Sequence, residues 1–236
     1  MRACARHTWA VASVLNGRNR NRVNGRPRQR EYDKSSRTRA AILDAAMGEF
    51  SQHGFGGARI DRIARAARLN NHALYYHFGD KEELFKAVLE HGYESLRANL
   101  APRDLAAMQP EAGMARIVED VFEFVRRMPK HSALVFDVNR HRGVNLTPAI
   151  SRNIRAAARR LIDDLDFVLK RGEATGRFAG GHDAEHLYFS IFALCSFYFT
   201  NAYTVGAGVG RDLLKPSALR ERKKAIVRFV LAALRP

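Results

Sequence analysis

Apolar residues recur at helical spacing along most of the chain, and no stretch alternates convincingly as a β-strand would. The best defined stretch is residues 58–78, ARIDRIARAARLNNHALYYHF. Within it Ile60, Ile63 and Ala64 fall on one helical face, and Ala64 is small enough for a close helix crossing. Asn70 is a favoured N-cap residue, so a second short helix should begin there. The pattern predicts a helix-turn-helix motif.

The second short helix has an inner and an outer face. Leu74 and Phe78, four residues apart, should pack inward. The outer face is left with polar and aromatic side chains, namely Asn71, His72, Tyr75 and Tyr76. Gly79 then suits a helix end with positive φ, and Asp80 with Glu83 predicts a capping box that begins the next helix.

Further helices are expected on both sides of the motif. Ser35 or Ser36 can cap a first helix that ends at Gly54, and a fourth helix should run from Asp80 to residue 100. Beyond it Pro102 and Pro110 should break the chain, and a helix follows that Pro129 stops, and then a shorter one. Later helices should begin at Thr147 with Pro148, at Asp183 and at Pro216. The helix capped by Asp183 is expected to reach Val205. The fold class is therefore all-α.

The charge of the chain indicates that its partner is a polyanion or an anionic surface. The 236 residues include 40 Lys and Arg against 24 Asp and Glu, a formal net charge of +16. Residues 1–39 alone carry 11 basic and two acidic residues, a net charge of +9. We expect residues 1–34 to be a disordered basic arm, either a solvated tail or, near residues 26–30, a contact for DNA phosphates or the minor groove.

At residues 74–84, LYYHFGDKEEL, the sequence resembles the TetR family of bacterial transcriptional regulators. The resemblance extends back through residues 39–46, RAAILDAA, to His53, Gly54 and Phe55. Two positions depart from the family pattern, because Ala58 replaces a frequent Thr and Arg68 replaces the usual Gly of the turn. The C-terminal half is similar, less extensively, to pyrimidine-utilisation repressors of that family, at residues 187–189, 197–198, 201, 210–213, 216 and 226–227.

The resemblance implies an architecture and a function. Residues 35–80 would form a three-helix DNA-binding domain, and residues 81–236 a helical effector-binding and dimerisation domain. The last two helices would join two subunits into a homodimer through a four-helix bundle. The chain would be a repressor released from a palindromic operator by a small molecule. The alternative is a ligand-independent nucleoid or division-associated DNA binder with the same motif.

Candidate DNA contacts follow from the motif. Asn71, His72 and Ala73 begin the recognition helix and are candidates for base readout, since Asn favours adenine and Ala can meet a thymine methyl. Matching the family motif assigns further phosphate or base contacts to Tyr75, Tyr76, His77 and Lys81. Asn70, the cap of the recognition helix, is a further candidate for a DNA contact. Arg59, Arg62, Arg65 and Arg68 form a stripe that is either a solvated face or a phosphate contact, with Arg59 as the leading candidate.

The effector cavity implied by the resemblance should be aromatic. Its candidate lining residues are Phe122, Phe136, Phe167, Tyr188 and Phe192. The competing interpretation is that these aromatics are ordinary core.

Other chemistry is not indicated. His182, Asp183, Glu185 and His186 are the best metal candidates, but a cap at Asp183 would leave His182 outside the helix. We therefore predict no catalytic residues, no metal and no cofactor, with Cys195 an inert apolar filler.

Cysteine usage and the apolar runs of the chain bear on its localisation. Cys4 and Cys195 offer no disulfide framework, which favours the cytoplasm. The uncharged run 187–210 is long enough to span a bilayer, but its polar residues and glycines favour a buried helix instead. Residues 1–15 loosely resemble a signal peptide, although Ser13 interrupts the short apolar core. We favour a start codon assigned too far upstream.

Overall fold

A computed structural model describes the backbone of residues 26–99 and 103–236, and the side chains of residues 34–94 and 103–236. These residues form only helices, in agreement with the predicted all-α class. In chain order they are α1 Arg26–Gly57, α2 Ile60–Ala67, α3 Asn71–Phe78, α4 Lys81–Asn99, α5 Pro110–Arg127, α6 Pro129–Arg140, α7 Pro148–Ala174, α8 Ala184–Thr200, α9 Ala202–Val209 and α10 Pro216–Ala233.

The start of α1 differs from the expected one. It begins at Arg26, so Ser35 and Ser36 lie inside the helix and do not cap it. Residues 26–34 are rich in Arg, Gln, Glu and Lys, which are good helix formers, and Pro27 is tolerated in a first turn. The part of the expected arm before residue 26 lies outside the described residues. Residues from Thr38 onward form a compact unit that contains the motif and the body.

A single core joins the first four helices to part of the body. Its buried members from α1 to α4 include Phe50, Ile63, Leu74 and Phe85. The same cluster continues into α6 and α7 through Leu134, Val138 and Ile150. The apolar face of α4 therefore packs with α1 to α3 and with α6 and α7 in one cluster.

The second core lies among α5, α7, α8 and α10, with Met114, Phe122, Leu165 and Ile226 among its fully buried side chains. Caps fix where two of these helices begin. The Ile150 N–H donates to Thr147 Oγ1 over 3.2 Å, and the His186 N–H donates to Asp183 Oδ1 over 2.7 Å, so both predicted caps are confirmed.

The helix capped by Asp183 does not reach Val205 as expected. It ends at Thr200, and Asn201 has φ −114 and ψ 15 before α9 begins. The Asn201 side chain donates to the Phe197 carbonyl, an example of an asparagine competing with the helical backbone for hydrogen bonds. In the described part of the chain no helix has both the length and the apolar character needed to cross a bilayer.

Candidate DNA-binding surface and ligand cavity

The turn between α2 and α3 is closed by an arginine in a left-handed conformation. Arg68 has φ 58 and ψ 40, as predicted for the position where Gly is usual. The Leu69 N–H donates to the Ala64 carbonyl over 2.9 Å and completes the turn. Arg68 is exposed and makes no ion pair with any other residue whose side chain is described.

Arg68→Gly should leave the melting temperature unchanged or raise it slightly. The left-handed backbone strains Arg by about 1 kcal/mol, although Gly gives the unfolded chain more freedom and offsets part of that gain. Because Arg68 is exposed beside the recognition helix, the same change should weaken DNA binding evenly across sequences and lower the salt slope by about one.

A matched control exists in the body, where Arg142 also has positive φ, 56. Arg142→Gly should affect melting in the same way without changing DNA affinity. Calorimetric melting and salt-dependent binding of both variants check the prediction. A clearly lower melting temperature for Arg68→Gly would contradict the strain argument.

Helix α3 presents its polar and aromatic side chains outward. Asn70 caps it, since the Ala73 N–H donates to Asn70 Oδ1 over 2.9 Å, which confirms the predicted cap. Leu74 is 2% exposed and anchors the inner face. Asn71 and His72 are exposed. Tyr76 is exposed by 79% and Tyr75 by 50%, whereas Ala73 and His77 are half-buried. The candidates in the first turn and Tyr76 therefore share one accessible surface.

The start of α4 is tied to the preceding loops. Gly79 has φ 78, as predicted. The Glu83 N–H donates to Asp80 Oδ1 over 2.8 Å, but the Asp80 N–H donates to the Phe78 carbonyl, so only half of the expected capping box forms. The half-buried Lys81 lies with Nζ 3.5 Å from the Gly56 carbonyl oxygen and 5.0 Å from the centre of the Phe55 ring. Its ammonium group is held next to a helix start, where a phosphate can also be bound.

The arginines along α2 differ in the groups that they contact. Arg62 donates to Glu49 Oε1 over 2.7 Å and to the Gly57 carbonyl over 2.8 Å, so it braces α1 against α2. Arg59 and Arg65 both reach Asp61, and the hydrogen bond from Arg59 lowers the pKa of that carboxyl. Arg59 and Arg65 remain exposed and can exchange Asp61 for a phosphate at small cost.

A cavity of about 420 Å³ lies among α4, α5, α6, α7 and α8. Three of the five predicted aromatics line it, namely Phe136, Tyr188 and Phe192. Phe122 does not, because it is 1% exposed in the core and packs against Phe199 at 5.1 Å. Phe167 does not either, since it is 41% exposed and lies near the Arg171 guanidinium.

Several cavity residues were missed from the sequence. Tyr93 and Phe124 add two aromatic rings, and His131 and Arg103 add polar groups. His131 lies three and seven residues before Leu134 and Val138, on the apolar face of α6, and that unusual placement was the available signal. Nothing in the local sequence marked Arg103, which bonds to residues far along the chain.

Helix α6 also contacts the DNA-binding core directly. The Phe55 N–H donates to Asp137 Oδ2 over 3.0 Å, across 82 residues of sequence. A Cβ on Gly54 would lie only 2.9 Å from Asp137 Oδ1, so glycine is required there for space as well as for its φ of 64. Asp137 follows Phe136, which lines the cavity. Helix α6 therefore contacts both the cavity and the last turn of α1, around Gly54 and Phe55, which we call the exit of α1.

Comparison with known families agrees with this arrangement. The family described as "Bacterial regulatory proteins, tetR family" matches residues 42–88. The "Tetracyclin repressor-like, C-terminal domain" matches residues 110–230, which is half of the chain. The chain belongs to the TetR family. Its members are transcriptional regulators and not enzymes, which confirms the assignment made from the motif.

Two TetR-family relatives are similar over most of their length. The transcriptional repressor NicS of Pseudomonas putida is 33% identical over 202 residues, covering 86% of this chain and 94% of NicS. The pyrimidine utilisation regulator RutR of Escherichia coli K12 is 31% identical over 205 residues, covering 85% and 92%. The structure of FadR from Bacillus subtilis with stearoyl-CoA has a TM-score of 0.56 at 16% identity, covering 83% of this chain and 98% of FadR, and shares the fold.

The other chemical candidates have structural roles or exposed positions. Asp183 caps α8, so His182 precedes the helix and is not paired with His186 on one face. No group of three or more potential metal ligands occurs among the described residues. Cys195 is buried, and burial raises the pKa of its thiol to about 12, which keeps it protonated and unreactive.

Proposed function

We propose that this TetR-family regulator is a homodimeric repressor that leaves a palindromic operator when a small molecule fills the cavity. The observation that carries the proposal is that α6 contacts both the cavity and the DNA-binding core. Phe136 lines the cavity, while Asp137 holds the backbone of Phe55. A ligand that shifts α6 therefore shifts a hydrogen bond to the exit of α1. Such a protein acts on the chromosome, in the cytoplasm.

On the DNA side, α3 would enter the major groove. Asn71, His72 and Ala73 would read base edges from its first turn. The residues assigned to phosphates or to nearby bases are Arg59, Asn70, Tyr75, Tyr76, His77 and Lys81. The greater exposure of Tyr76 supports a larger contact for it than for Tyr75.

Dimerisation would use the last helices. Large apolar side chains are exposed there in an isolated subunit, namely Phe189, Phe197, Tyr203, Val209 and Phe229. Such a patch is typical of a protein interface. Pairing α8 and α10 with their copies would give a four-helix bundle and fix the two recognition helices relative to each other. To enter successive major grooves they must lie about 34 to 36 Å apart, or a multiple of that distance.

Release from the operator requires a ligand that binds more tightly to a form of the dimer in which the two recognition helices have a different spacing. Reversing operator occupancy from 99:1 to 1:99 needs a preference for the released state of about 5.5 kcal/mol. The cavity meets the structural condition for such coupling, since α4 and α6 both line it and both belong to the core around the motif. The FadR structure shows that a protein of this fold can hold a ligand.

Footprinting on the DNA upstream of the gene tests the proposal. The purified dimer should protect a palindrome, and at least one metabolite from a screened set should remove that protection. Binding at many unrelated sites, with no compound that releases it, would favour the ligand-independent binder instead.

A further inference from the structure

The cavity contains a buried polar group without a partner. His131 is 5% exposed, and its Nδ1 has no hydrogen-bond partner among the described residues. A Cβ on Gly92 would lie 2.7 Å from Nδ1 and 3.3 Å from Cε1, so this edge of the ring faces α4. His131 also lines the cavity, so the rest of its ring is available to a molecule there. A buried polar group without a partner is uncommon and calls for an explanation.

The walls around His131 are largely aromatic. Rings from Tyr93, Phe124, Phe136, Tyr188 and Phe192 line the cavity. The Tyr93 ring meets the His131 ring edge-on at 4.7 Å, and the Tyr188 and Phe192 rings are 5.0 Å apart. Aromatic walls favour a flat ring, which can make offset or edge-on contacts with several of them.

Charge in the cavity is already balanced. Arg103 is the charged side chain among the described lining residues, and it is 5% exposed. It donates to Asp120 and to Asp164, each over 2.7 Å. Burial lowers the pKa of His131 to about 4 and raises that of Tyr93 to about 12, so both are neutral at physiological pH. An anionic ligand would have to compete with two carboxylates for Arg103, and a cationic one would lack a counter-charge.

We infer that the cavity takes an uncharged aromatic compound with one hydrogen-bonding substituent, which the His131 imidazole recognises. This inference deepens the proposed function and rests on it, because the occupant of the cavity would be the effector. His131 also contacts Gly92 on α4, so the recognised group lies beside the helix that leads to the motif.

Three probes of similar shape test the class: β-naphthol, β-naphthoate and naphthalene. Titration calorimetry of the intact protein at neutral pH should show β-naphthol binding. Naphthalene should bind up to about tenfold more weakly, because it lacks the hydrogen bond. Since naphthalene is sparingly soluble, it is placed in the calorimeter cell and the protein is titrated into it. β-Naphthoate should bind at least about 100-fold more weakly, because its charge would be buried unpaired. Equal or tighter binding of β-naphthoate, or no binding of any probe, would overturn the inference.

His131→Leu separates recognition from simple packing. Its β-naphthol affinity should fall to that of naphthalene, while its naphthalene affinity stays unchanged. Equal losses for both probes would show that His131 only packs. If the variant does not fold, as judged by its melting curve, the comparison of probes on the unmodified protein still decides the class.

The two proposals fail in different ways. Failure of the inference appears as binding of charged compounds, or of none of the probes, while operator release by some metabolite persists. Failure of the proposed function appears as operator binding that no compound relieves, even when β-naphthol demonstrably occupies the cavity.

Discussion

Replacing Asn71 and Tyr76 together by alanine should abolish specific operator binding and leave the fold intact. Each lost base contact costs about 1 to 3 kcal/mol, so the pair should weaken specific binding about 30-fold to 20,000-fold. Both side chains are exposed, and Asn70 still caps α3 in the variant. Substitutions at such positions usually change stability by less than about 0.5 kcal/mol. Fluorescence anisotropy with operator and unrelated duplexes, together with thermal melting, measures both quantities.

The control is His182→Ala, an exposed polar residue on a loop of the body. It should leave both DNA affinity and melting unchanged. Affinity for unrelated DNA should fall less than operator affinity in the double variant, because phosphate contacts from Lys81 and the arginines remain. Retained operator preference would show that α3 does not read the bases.

Local features of the motif could be predicted from the sequence because neighbours a few residues apart determine them. A cap such as Asn70 needs only its own oxygen and the next turn of backbone. Arg68 directly follows α2 and has the left-handed backbone that the resemblance implies for the residue in place of the usual Gly. The half-formed capping box shows the limit, since Glu83 pairs with Lys86 over 2.9 Å instead.

Long-range contacts could not be predicted in this way. The bond from the Phe55 N–H to Asp137 depends on how α6 crosses the exit of α1, which no local pattern specifies. The ion pairs of Arg103 with Asp120 and Asp164 depend likewise on three separate elements. For the cavity, apolar periodicity marked the inner faces of α5 and α7 but not which aromatic reaches the cavity. Val121 and Phe122 are adjacent on α5 and point in different directions from the helix, and of the two only Val121 lines the cavity.

These missed contacts change the route expected for a signal. Along the chain, α4 connects the motif to the body. The structure adds α6, which bonds to the α1 exit through Asp137 and contributes Leu134 and Val138 to the motif core. A ligand between α4 and α6 therefore contacts two elements that position α1 to α3. Coupling of ligand binding to DNA binding through α4 and α6 requires that each of these helices has two discrete arrangements. Ligand-induced operator release, measured for the unmodified protein and for Asp137→Asn, would reveal them.

Phe85→Ala should be the most destabilising of the substitutions considered. Phe85 is 0% exposed, and its ring meets Phe50 at 4.9 Å and Phe55 at 5.2 Å. Removing a buried phenylalanine costs about 3 to 5 kcal/mol, a large share of a typical stability of about 5 to 15 kcal/mol. Phe85→Leu should cost less, because it leaves a smaller cavity.

The matched control for Phe85→Ala is Phe167→Ala, the same substitution at a side chain that is 41% exposed, and it should cost much less. Denaturant unfolding at one fixed protein concentration compares the variants, since the stability of a dimer depends on concentration. Because Phe85 joins α4 to α1 and its exit turn, its loss should loosen the recognition helices before the body unfolds. Operator affinity should therefore fall at temperatures where the far-ultraviolet circular dichroism is still native. Equal free energies of unfolding for the two alanine variants would show that the aromatic cluster does not hold the motif to α4.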